Sequence, residues 1–198
     1  MVLDLNSIYS LAWSIFKKNW WQYVLISLIM LVLMILPLGG ILQFFVMLLM
    51  INAILKALRG NEITFSSFFQ FKEILNSKVI IAVVALGIYS FIVQSINSVA
   101  LSLILAIIGF IISVIFFPIL CVLIDKQLNI KETILYSAKL TKTIRYEILL
   151  IMAVNFIIGI LGVLLLLVGV FMAIPIITIA VVKTYLLLDD RLNSNINI

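Results

Sequence analysis

Histidine is absent from this chain of 198 residues, and cysteine occurs once, at Cys121. Together these exclude a disulfide framework within one chain and a metal site built from His and Cys. Charge is scarce too, at 11% of residues. No Asp or Glu falls in the middle of an apolar run. That removes the buried carboxylate on which proton-coupled carriers usually rely. There is no G-x-S-x-G and no phosphate-cradling glycine loop, so no catalytic residues and no cofactor are expected. A cleavable leader is not expected either. Lys17 and Lys18 follow an amphipathic stretch instead of preceding an apolar one, and the run that comes next ends at Pro37 without a small-residue cleavage pattern.

What is present is apolar surface. Hydrophobic residues make up 66% of the chain, more than a soluble core of this size needs. The composition predicts an all-α polytopic membrane protein, with residues 1–198 as one integral membrane domain. The net charge of +5 is spread in short pieces beside apolar runs. Retention of Lys and Arg on the cytoplasmic face explains that placement, so nucleic acid is not an expected partner. Cys121, in an apolar run, reads as a small packing residue.

Leu5 to Lys18 reads as an amphipathic helix lying in the membrane interface. Leu5, Ile8, Tyr9, Ala12 and Phe16 form its apolar face; Ser7, Ser10, Ser14 and Lys17 form the polar one. Trp13, Trp20 and Trp21 mark headgroup level. A first span follows at 20–36, a turn at Pro37-Leu38-Gly39-Gly40, and a return span at 41–58. Ile63 to Ser77 is a second amphipathic segment. Its polar face is Ser66, Gln70, Glu73 and Ser77, and its apolar face is Phe65, Phe68, Phe69 and Leu75.

Val79 to Ile124 holds 46 residues without a charge. As one helix it would be about 69 Å long, twice what a bilayer needs. It must fold back, and Gln94 to Ser98 is its most polar window. This gives spans at 79–95 and 99–124. Asp125 to Glu147 is the longest polar stretch, and its acids, Asp125, Glu132 and Glu147, read as a solvated face among lysines. Asn129 and Glu132 have capping-box spacing, which starts a third interfacial helix near Ile130. Two further spans, at 148–167 and 170–188, turn near Gly169.

One unit thus occurs three times: interfacial helix, span, tight turn, span. The 13 basic residues divide as two before the first span, four between the second and third, five between the fourth and fifth, and two from Lys183 onward. The three turns hold none. Both termini and both long connectors are therefore expected to be cytoplasmic.

Gln43, Asn52, Gln94, Asn97 and Asn155 are the large uncharged polar groups within spans. Two readings stay open for them: hydrogen bonds between helices, or a polar cavity between hairpins. Gly159 and Gly162 read as close-packing positions. Pro118 and Pro175 are expected to kink the return spans at matching places. Lys183 reaches for the interface. Lys131, Lys139 and Lys142 fall within roughly 80° on a helix, with Arg145 about 40° beyond, a basic arc suited to anionic lipid.

Two stretches carry a resemblance. Ser7-Ile8-Tyr9 leads through Phe16-Lys17-Lys18-Asn19 into the first span. Phe117-Pro118-Ile119-Leu120 leads to Asp125-Lys126, followed by Ser137, Thr141 and Arg145. This order resembles the YciC-like family of small bacterial inner-membrane proteins. It is also similar to the related membrane domain fused to some glycerophosphodiester phosphodiesterases, whose catalytic domain has no counterpart here. The resemblance implies a six-span protein of a bacterial plasma membrane, tied to envelope upkeep. The expected role is a non-enzymatic envelope or membrane-homeostasis factor working through the bilayer, anionic lipids and other membrane proteins. The alternative is a small-molecule transporter or transporter subunit, with its site among the five amides.

Overall fold

Asp4 sets where the first helix begins. Its carboxylate accepts from the Asn6 amide at 3.0 Å, satisfying one of the free N–H groups of the first turn. Lys17 and Lys18 lie in the last turn, where positive charge suits the helix dipole. The result is α1, Leu5–Lys18. The computed structural model describes residues 3–34, 39–70, 79–81, 114, 117–142 and 144–196. After α1 come α2 (Trp20–Met34), α3 (Gly39–Leu58), a short 3₁₀ helix (Phe65–Phe69), α4 (Ile119–Lys126), α5 (Ile130–Thr141), α6 (Arg145–Leu164) and α7 (Leu166–Ile196). No strand occurs among the described residues. The expected third span, 79–95, and most of the fourth, with the turn at Gln94 to Ser98, lie outside them.

α7 packs on α1, α2, α3, α5 and α6. α3 is buried on every side from Leu48 to Leu55, as a helix apolar all round should be. α6 is the contrast. Phe156, Ile157, Leu161, Val163 and Leu164 on it are all more than half exposed. Two helical stretches, Arg145–Leu164 and Val168–Ser194, are long and apolar enough to cross a membrane. Trp20–Leu33 and Leu42–Leu58 are shorter apolar helices.

Four expectations change. The last hairpin turns at Leu165, not Gly169. Leu165 leaves helical geometry while its N–H still bonds the Leu161 carbonyl at 3.0 Å. Gly169 instead lies inside α7, against Gly162. A Cβ on Gly162 would stand 2.8 Å from Ala173 Cβ and 3.0 Å from Gly169 O. Bare backbones meet there, and that is why both positions are glycine. Gly159 is not a close-packing position, because a Cβ on it meets nothing within 4 Å.

The prolines are not equivalent. Pro175 lies within the continuous α7. Pro118 sits at a turn and stands as the N-cap of α4, so the expected span 99–124 is broken there. Proline has no N–H to extend a preceding helix, but it is well placed where a new one starts. The segment after α3 also differs. It is a short 3₁₀ helix with Ser67 and Phe68 buried and Phe65 42% exposed, so Phe65 does not share the buried face expected for it.

α1 has the predicted bounds, with Ile8, Ala12 and Phe16 buried. It packs lengthwise on the last hairpin. The Tyr9 hydroxyl donates to Asn155 Oδ1 at 2.8 Å and lies 3.2 Å from the Ile151 carbonyl. Phe16 and Lys17 share a groove with Val168, Phe171 and Met172. α1 therefore runs antiparallel to α7. Its apolar stripe is hidden by α7 more completely than a headgroup layer could hide it. This brings Lys17 within about two helical turns of Leu165, whereas the charge distribution puts those two on opposite membrane faces.

Candidate functional site: an acid–base cluster at the helix ends

Each return run gives way to charge: Leu58-Arg59, Ile124-Asp125-Lys126 and Leu188-Asp189. The fold gathers these ends. Arg59 follows α3 and grips Asp125 at the end of α4 with two hydrogen bonds, Nη1 to Oδ1 at 2.6 Å and Nη2 to Oδ2 at 2.8 Å. Tyr185, fully buried on α7, donates to Asp125 Oδ2 at 2.6 Å. The neighbouring Lys126 donates to Asp189 Oδ2 on α7 at 2.7 Å. Tyr136 on α5 donates to Asp189 Oδ1 at 2.6 Å, and Asn193 reaches Oδ2 at 3.4 Å.

Both carboxylates are buried, with side chains 6% exposed at Asp125 and 8% at Asp189. The bases are more open, at 48% for Arg59 and 30% for Lys126. Burial alone would raise the Asp125 pKa. The hydrogen bonds from Arg59 and Tyr185 outweigh it and hold the carboxyl below its ordinary range. The bond to Asp125 raises Arg59 further, against a smaller opposing effect of burial. Burial first, and then the bond to Asp189, push the Tyr136 hydroxyl above its usual range, so it stays a donor. The arrangement is a clasp: each carboxylate is held from two directions by donors on other segments. Asp125 is thus not part of a solvated face, as its polar neighbours in sequence suggested, because the partners that cover it come from α3 and α7.

Local geometry sets the register of the clasp. α4 ends at Gln127, which takes a left-handed conformation (φ 49°) that turns the chain out of the helix. Glu132 then accepts from the Asn129 N–H at 3.1 Å, the capping contact that starts α5. α5 turns Thr133, Ser137, Leu140 and Thr141 inward. Tyr136 stands beside that edge, half-buried.

Three of the five amides fall among the described residues. Gln43 is half-buried and Asn52 buried, both on α3. Asn155 is on α6 and accepts from Tyr9. α7 packs against both of those helices. Gln94 and Asn97 lie outside the described residues. Lys183 is half-buried on α7. Lys131, Lys139 and Lys142 are exposed around α5. Arg145 is exposed too, but it does not continue their arc. Ile144 is non-helical, so Arg145 opens a new helix in a new register. Among the described residues, no three His, Cys, Asp or Glu side chains group as metal ligands.

The signal for the clasp lay in the repeat. A charged residue stands at the end of each of the three return runs. The sequence reading used those charges to assign sides and did not pair them across units. It also passed over Tyr23 and Ser27, one turn apart on α2, whose buried hydroxyls find no partner among the described residues. Comparison with protein-family models, curated proteins and solved structures finds no match to this chain.

Proposed function

We propose that this chain is a non-enzymatic, six-span integral protein of a bacterial plasma membrane, of the YciC-like kind. Both termini are cytoplasmic, and it serves the membrane or envelope through contacts with lipid and with other membrane proteins. The supporting observation is the surface of α5. Lys131, Lys139 and Lys142 are exposed there beside Ile130, Ile134 and Leu135. Cationic and apolar side chains on one exposed arc suit a helix that lies on anionic headgroups. The clasp supports the same reading. Its charges neutralise one another, which fits a role in holding helices together. A transport reading is weaker by one residue, since Tyr9 takes up the Asn155 amide.

The test uses the full chain in nanodiscs that mix phosphatidylglycerol and phosphatidylethanolamine. Lipid near α5 is read by a quencher on a labelled residue 135. Phosphatidylglycerol is expected to be enriched at low salt and to lose that enrichment at high ionic strength. Changing Lys131, Lys139, Lys142 and Arg145 to Gln is expected to abolish the preference. Equal lipid proportions at every salt concentration would rule the reading out.

A further inference from the structure

A groove of about 470 Å³ lies between the α1–α2 junction and the start of α7. Phe16, Trp20 and Val24 form one wall; Val168, Phe171 and Met172 form the other. Apart from Lys17 at its edge, every lining side chain is hydrophobic. A groove of this size and apolar lining suits the tail of a single lipid. Lys17, an exposed residue, lines the groove, with Lys18, also exposed, next in sequence; a lysine so placed can cover apolar surface with its stem and keep its ammonium in water. Trp20 and Trp21 are both more than half exposed, and indoles favour the depth where headgroup meets chain.

We propose that this groove is a binding site for one anionic phospholipid of the bilayer. An acyl chain lies between Phe16 and Phe171, and the phosphate sits on Lys17. The inference rests on the reading above that the protein works through lipid contacts, and it adds a defined seat separate from α5. Charge complementarity selects the occupant. An apolar trough alone would take any lipid tail, whereas a lysine at its edge prefers a headgroup with net negative charge. One lysine facing such a headgroup contributes about a fivefold preference.

The test is native mass spectrometry of the full chain, purified in mild detergent from membranes of known lipid composition. The wild type is expected to retain one lipid per chain, with phosphatidylglycerol enriched about fivefold over its share of the membrane. K17Q is expected to keep a retained lipid but lose the enrichment. V168W, which fills the groove from one wall, and V24W, from the other, are each expected to lose the retained lipid. Either of the two suffices should the other fail to fold. Unchanged enrichment in K17Q would overturn the proposal. So would lipid retention in both tryptophan variants, or a dimer without lipid that V168W dissociates. Should the enrichment follow α5, and vanish only when Lys131, Lys139, Lys142 and Arg145 are neutralised, the groove proposal falls and the lipid-contact reading stands. Should the wild type show no anionic preference in either place, both fall.

Discussion

Arg59 and Asp125 form a two-pronged ion pair, 2.6 and 2.8 Å long, that is buried at one end and open at the other. The carboxylate has lost its water, while the guanidinium is still half in solvent. The pair is therefore unequal in what each partner suffers when the other is removed.

R59A leaves a buried carboxylate with the single hydroxyl bond from Tyr185. D125N leaves a guanidinium that water can still solvate. Hydrogen bonds to charged groups contribute about 1.5–3 kcal/mol, and an uncompensated buried charge costs more than an exposed one. R59A is expected to destabilise by about 2–3 kcal/mol and D125N by about 1 kcal/mol. Thermal unfolding in detergent checks the order. Equal losses, or a larger loss for D125N, would contradict it.

Acid should loosen the clasp in one direction. The Asp125 carboxyl is held below its ordinary value of 3.8 by Arg59 and Tyr185. A depressed folded pKa gives stability that is fully present above the unfolded value and is lost as pH falls through the folded one. The melting temperature is expected to fall only below about pH 4 in the wild type. In R59A, burial acts on Asp125 with less to oppose it, so its folded pKa moves up toward or past the unfolded value, and the acid loss is expected to shrink or reverse. A melting profile between pH 3 and 7 reads both. Coincident profiles would mean that Arg59 does not hold the carboxyl down.

The two glycines of α6 should behave differently despite lying three residues apart. G162L forces side-chain volume into the space taken by Gly169 O and Ala173 Cβ. Overpacking of this kind costs about 1–3 kcal/mol. G159L enters open space and replaces a poor helix former, so it is expected to be neutral or stabilising by up to about 1 kcal/mol. Matched melting curves of the two variants decide. A large loss for G159L would place another surface against that face.

Lys17 and Leu165 decide between charge and packing. With both termini inside, a cytoplasm-only reporter is active after Asn61, Asn129 or Asn193 and silent at Gly40, Asn97 or Leu165. A cysteine at position 17 stays shielded from an impermeant maleimide added outside. Activity at Leu165 would put the end of the last hairpin on the same side as Lys17, and the six-span arrangement would be lost.

Short-range physics made parts of this fold legible and hid others. α1 was readable to the residue, since the i, i+4, i+8 spacing of Ile8, Ala12 and Phe16 needs no distant partner to be recognised. The start of α5 was readable from Asn129 and Glu132 for the same reason. The turn at Leu165 was not. Glycine at 169 signals either a bend or a close approach, and only the position of Gly162 separates the two. The clasp was hidden by distance along the chain. Locally, Asp125 sits among lysines and looks solvated; its burial comes from Arg59 and Tyr185, which are 66 and 60 residues away.

Those separations also bear on how the protein is made. When α3 has left the ribosome, Arg59 cannot meet Asp125 until 66 more residues have been synthesised. Lys126 then waits a further 63 residues for Asp189. The two carboxylates are taken out of water only as the final helix comes to rest. A chain that stalls, or misplaces its last hairpin, is left with unmatched charge at the base of its earlier helices. The cluster thus marks the difference between a finished and an unfinished molecule.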